Sequence, residues 1–219
     1  MNTESLKKWV KALLFVFLFC TIWLGYLYIR RGSVSLSTIN KMLGAGAVFF
    51  AAYTILLGPL SKRVPFFTRH MTIRRQLGLL ALALAIVHVA ISVFFLPQRF
   101  PLSWYQQEIL PISAGIIAVL IWFYLAFISR NEKIKQMGPD KWKIALRLGA
   151  NIAFIFIFFH ILFLKFSDWT TWFAGTQKPT SYLKNPNLPP ESLIIFLAML
   201  AVIIYRVINN YFYHKTKNV

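Results

Sequence analysis

Acidic residues are scarce: Asp and Glu number 6 in a chain of 219, against 24 Lys and Arg. Charged residues of both signs make up 14% of the chain, where a soluble domain carries about a quarter. That shortage excludes an ordinary soluble enzyme. The one cysteine, Cys20, cannot form an internal disulfide and says little about compartment. No Gly-rich dinucleotide motif follows a strand, and no segment between the apolar runs is large enough for a Rossmann unit, so this chain carries no NAD(P)H site of its own. What it has instead is hydrophobicity, 58% of residues with a mean hydropathy of +0.61. The composition is that of an integral membrane protein. The net charge of +18 then has a topological cause, basic residues flanking apolar spans, and nucleic acid is not the expected partner.

Hydropathy predicts six spans within a single all-α transmembrane domain, at about 12–28, 42–60, 76–96, 112–128, 148–166 and 193–212. Each is near the roughly 20 residues a bilayer requires. The first, followed by Arg30 and Arg31 instead of a small-residue cleavage site, is read as a retained span. With the N-terminus inside, only Arg30, Arg31, Lys41, Arg99, Lys165, Lys178 and Lys184 of the 24 basic residues fall outside. Both termini are therefore expected in the cytoplasm. Arg30 and Arg31 are the awkward pair in this scheme. The segments around 98–111 and 167–191, with Asp168, Trp169 and Trp172, read as outer loops, the tryptophans as an interfacial belt.

The third span holds the main chemical signal. Gly78, Ala81, Ala85, His88 and Ser92 recur at helical spacing and form one small-residue face interrupted by an imidazole. An ionisable residue at that depth is a functional candidate; its bland counterpart is a close helix contact with His88 bonded to a neighbour's carbonyl. His160 in the fifth span has the same setting, with Gly149, Ala153 and Phe156 below it. His88 follows Arg74 by 14 residues and His160 follows Arg147 by 13, so both lie roughly 20 Å above the basic boundary. His70 and His214 fall outside the spans and read as solvated or headgroup-facing. Two imidazoles at one height can bind a haem iron from its two sides. Zinc would want three or four ligands, and neither a further ligand nor a chain of ionisable groups for proton relay lies at this level. A purely structural histidine pair remains the other reading.

Three stretches carry a family resemblance: Gly58-Pro59-Leu60-Ser61-Lys62-Arg63, Arg74-Arg75-Gln76-Leu77-Gly78-Leu79 leading to His88, and Met137-Gly138 with Trp142 before His160. Over about residues 40 to 166 the chain resembles the ferric reductase-like transmembrane family, most closely its bacterial MsrQ-like branch of haem-binding membrane subunits that serve a periplasmic methionine sulfoxide reductase. The resemblance implies a six-helix bundle in the bacterial inner membrane. It implies one haem b held by His88 and His160, and an electron-transfer subunit of an oxidoreductase system. The donor would be a cytoplasmic flavin reductase or a quinol, and the acceptor a periplasmic reductase or ferric chelate docking near Arg99 and 168–172. Two-haem members carry an inner histidine pair where this chain has Arg74 or Arg75 and Arg147; the MsrQ-like branch usually keeps the one at Arg147. Arginine is not an iron ligand, so these three side chains are expected to hold propionates, a flavin phosphate such as that of FMN, or membrane lipid, or to act as simple positive-inside anchors. A non-redox assembly or transport protein that keeps the fold is the alternative.

Overall fold

The apolar runs become six helices long and apolar enough to cross a membrane. The computed structural model describes residues 3–217, with side chains through Asn209, and His214, Lys215 and Lys217 lie outside the described side chains. Helix α1 spans Thr3–Arg31, α2 Leu36–Ser61, α3 Pro65–Met71, and α4 Arg74–Ala90, which runs on into a π-turn at Ile91–Phe95. Then come α5 Leu102–Gln107, α6 Ile109–Ile128, α7 Asn131–Met137, α8 Pro139–Phe173 and α9 Glu191–Lys217. Among the described residues no strand forms beyond one isolated bridge between Thr180 and Leu183. This is an all-α, multi-pass membrane bundle.

Several helices outrun the apolar windows. Helix α1 begins at Thr3, and α8 is 35 residues long. Hydropathy marks only the part in hydrocarbon, whereas the backbone ladder continues until something breaks it. For α8 the start is set by Gly138, at φ 78, and Pro139 in the first turn, where a missing N–H costs nothing. Asp168, Trp169 and Trp172 consequently lie on α8 and not in a loop. The Trp169 ring is buried against Phe196 at 4.6 Å and its Nε1 donates to Ser192 Oγ at 2.9 Å, so it packs the core and is no belt residue. The segments 62–73, 98–108 and 129–138 contain the short helices α3, α5 and α7. In α3, His70 is half-buried: its Nδ1 shares a hydrogen bond with the Tyr53 hydroxyl, and Phe15, Phe66 and Phe67 pack round the ring.

Helix α2 packs along α4, and α6 packs along α8, more extensively than any other pair. These antiparallel hairpins meet through α4 with α6 and α2 with α8, while neither α4–α8 nor α2–α6 is a packed pair. The four helices therefore form a ring with α4 and α8 on one diagonal. One apolar core joins α2, α6, α8 and α9 through Ala52, Ala118, Phe154 and Met199; a second joins α1, α2 and α4 through Val16, Phe50 and Leu77. Small residues set the close approaches, as expected where van der Waals packing drives association. A Cβ on Gly149 would lie 2.7 Å from Leu125 Cδ2.

At one end of the bundle Glu191 gathers three cations. Its Oε1 accepts from Lys41 Nζ at 2.7 Å and Arg31 Nη2 at 2.8 Å, and its Oε2 from Arg30 Nη1 at 3.3 Å. Arg30 also donates to the Leu188 carbonyl and Gln177 Oε1, and Arg31 to the Tyr182 carbonyl. The awkward arginines are thus internal ties between α1 and the 177–191 segment. The opposite end, where α4 and α8 begin, holds Arg74, Arg147 and Arg206 and is called the basic end below.

Candidate functional site

His88 and His160 project from the diagonal helices α4 and α8, within electrostatic reach of each other. Each is placed by its own hairpin partner. Nδ1 of His88 lies 2.9 Å from the Asn40 carbonyl on α2, and Nδ1 of His160 lies 2.7 Å from the Pro111 carbonyl on α6. A carbonyl oxygen only accepts, so Nδ1 of each ring carries the proton and Nε2 keeps a lone pair. Among the described residues neither Nε2 has a hydrogen-bond partner. This is the pattern of metal-ligating histidines, in which the far nitrogen is tied to a backbone carbonyl. The carbonyl bond expected of the bland reading and the ligand geometry are thus the same bond.

Glycine makes room for both rings. A Cβ on Gly44 would sit 3.1 Å from Nδ1 and Cε1 of His88, and one on Gly115 would sit 2.8 Å from Nδ1 of His160. The two rings are packed round by protein but not sealed, each remaining half-buried. Ser92 Oγ donates to the His88 carbonyl at 2.9 Å and accepts from Asn40 Nδ2 at 2.8 Å, closing a small polar net between α2 and α4. Immediately beyond, α4 opens into the π-turn, and the Ile91 N–H is shared between the carbonyls of Val87 and His88. Such bulges recur beside functional residues. Lys41 lies within electrostatic reach of His88 and Lys165 within reach of His160, each bonded to a carboxylate, Glu191 or Asp168.

The donor set fits a haem better than a bare ion. Among the described residues no group of three or more His, Cys, Asp or Glu side chains forms, so a tetrahedral zinc site lacks ligands. A haem iron, which brings most of its ligands with it, asks the protein for one or two side chains, and His88 and His160 would supply them.

The basic end divides the three expected arginines. Arg74 Nε donates to the Thr54 carbonyl at 2.8 Å, while Arg75 turns outward to Asn131 Oδ1 at 2.9 Å on the exposed surface. Arg147 is exposed, and the third guanidinium within reach of Arg74 and Arg147 is Arg206 on α9. Sequence reasoning missed Arg206, Glu191, Gly44 and Gly115. Glu191 alone left a trace, as an acid bordering the sixth span in a chain with few acids. Compared with known proteins, no family model matches this chain and no curated protein is significantly similar to it.

Proposed function

We propose that this chain is a haem b-binding membrane subunit that carries electrons between a donor at the basic, cytoplasmic side and an extracytoplasmic acceptor. The observation that carries the reading is the matched pair of imidazoles, each with Nδ1 committed to a backbone carbonyl and Nε2 left free. His88 and His160 would hold the iron; Gly44 and Gly115 let the ring edges rest on α2 and α6 without displacing them. A bound haem b would supply reversible one-electron exchange, tuned by the side chains that hold it and by burial. The chain itself fixes ring orientation and tautomer. The donor is a flavin reductase or quinol and the acceptor a reductase or metal chelate, since the chain carries no nicotinamide site of its own.

Arg74 and Arg147 at the basic end, where two-haem members of the ferric reductase-like family carry histidines, favour a second reading: a membrane assembly or transport protein that keeps the fold without the electron path. A pyridine haemochrome assay on the purified protein separates the two. The redox reading expects about one haem per chain with a reducible low-spin spectrum, lost in His88→Ala and in His160→Ala. A colourless protein, or spectra intact in both variants, supports the second reading.

A further inference from the structure

Arg74, Arg147 and Arg206 come from α4, α8 and α9 and lie within electrostatic reach of one another near the end of α2. The Arg74 Nη1 lies 3.9 Å from where a Gly58 Cβ would be, and its Nε is held by the Thr54 carbonyl. Arg206 is held by Asn151 Oδ1, one turn beyond Arg147 on α8. Next to Arg206, the Tyr205 ring lies under the Arg63 guanidinium at 5.8 Å, and its buried hydroxyl has no hydrogen-bond partner. Trp142 Nε1, also buried and unpartnered, is a second idle donor at this end. Among the described residues no carboxylate pairs with any of the three arginines. Simple boundary anchors extend their heads into water. Arg74 and Arg206 are instead half-buried and fixed by hydrogen bonds, their remaining N–H groups unspent, and like charges so confined repel one another unless an anion joins them.

We propose that Arg74, Arg147 and Arg206 form an anion site that binds a phosphate group, carried by a lipid headgroup or free in solution. Guanidinium forks match phosphate oxygens bidentately, and a phosphate offers enough oxygens to engage three forks, where a carboxylate has two. Exposed Arg147 is the side from which the anion enters. The site is independent of the histidine pair and stands whether or not haem is bound.

The test uses the purified full-length chain. Native mass spectrometry from nanodiscs of phosphatidylcholine doped with phosphatidic acid measures lipid retention. Inorganic phosphate, titrated in detergent and followed by the unfolding midpoint, measures binding of the free ion. Saturable binding of at least one probe is expected. The double variant Arg147→Gln, Arg206→Gln should weaken it at least about tenfold, as loss of charge-assisted hydrogen bonds predicts. Arg147→Lys, which keeps the charge and loses the fork, should weaken it less and serves if the double variant does not fold. Lys135→Gln, an exposed charge on α7, should leave binding unchanged. Retained phosphatidic acid without a phosphate response identifies a headgroup, and the converse identifies a soluble phosphate. No saturable binding of either probe, or equal losses in Lys135→Gln and the arginine variants, overturns the proposal.

Discussion

Nδ1 of His160 lies 2.7 Å from the carbonyl oxygen of Pro111, one helical turn before Gly115, on which the imidazole edge rests. His88 stands in the same relation to Asn40 and Gly44, and the bonded residues are 49 and 48 positions apart in the two cases. The hairpins α2–α4 and α6–α8 therefore present their histidines by one local solution used twice. Such a repeat is invisible to a search for repeated residues, because only the glycine and the histidine recur.

This arrangement makes the glycines sensitive positions. A Cβ at Gly115 cannot coexist with Nδ1 of His160 at 2.8 Å, so Gly115→Ala should push the ring off the Pro111 carbonyl. Overpacking of this kind costs about 1–3 kcal/mol. Gly44→Ala, at 3.1 Å, should cost less. Thermal unfolding in detergent, with haem content measured alongside, checks both size and order; equal effects would mean that the rings are not wedged as described.

Glu191 is the sole carboxylate for three cations, and the Arg30 side chain is only 4% exposed. Removing one partner of a buried pair typically costs about 3–5 kcal/mol because the other charge stays buried. Glu191→Gln should lower the unfolding midpoint steeply. Adding Lys41→Met should recover part of the loss by removing one of the stranded charges. A midpoint unmoved by Glu191→Gln would place this cluster in effective contact with water.

His70 gives a pH dependence. Burial among aromatic rings, and secondarily the nearby Lys11, push its pKa below the usual histidine value. A base whose pKa is lower in the fold contributes stability at pH above its unfolded value, about 6.5, and loses that contribution as pH falls toward the folded one. Acidification from neutral pH should thus destabilise the wild type more than His70→Gln. Parallel melting curves across that interval would remove the role assigned to this ring.

Orientation is tested by fusing reporters at the C-terminus and near Lys178. The distribution of basic residues predicts opposite compartments for the two, with the C-terminus cytoplasmic. Signals from the same side of the membrane would invert or break the scheme.

The six spans and both histidines were legible in the sequence, because apolar length and the depth of an ionisable residue are properties of single helices. Pairings between helices were not. Glu191 finds Lys41 across 150 positions, and no periodicity encodes that meeting. Arg74 and Arg75 look alike as text, yet about 100° of helix rotation separates neighbours, sending one to Thr54 and the other to Asn131. The place expected of Arg75 is taken by Arg206, which comes from a different helix, α9. The ends of α8 were missed because hydropathy falls where the bilayer stops, while the ladder stops only at Gly138 and after Phe173.

That overrun has a mechanical consequence. At 1.5 Å per residue, the 35 residues of α8 make a rod of about 52 Å, longer than the roughly 40–45 Å of a bilayer with its headgroups. One stiff element is therefore long enough to cross the bilayer with its headgroups, and it carries His160 within it. A displacement imposed on residues 139–143 would travel along the same rod to the imidazole and to the Trp169 anchor beyond it.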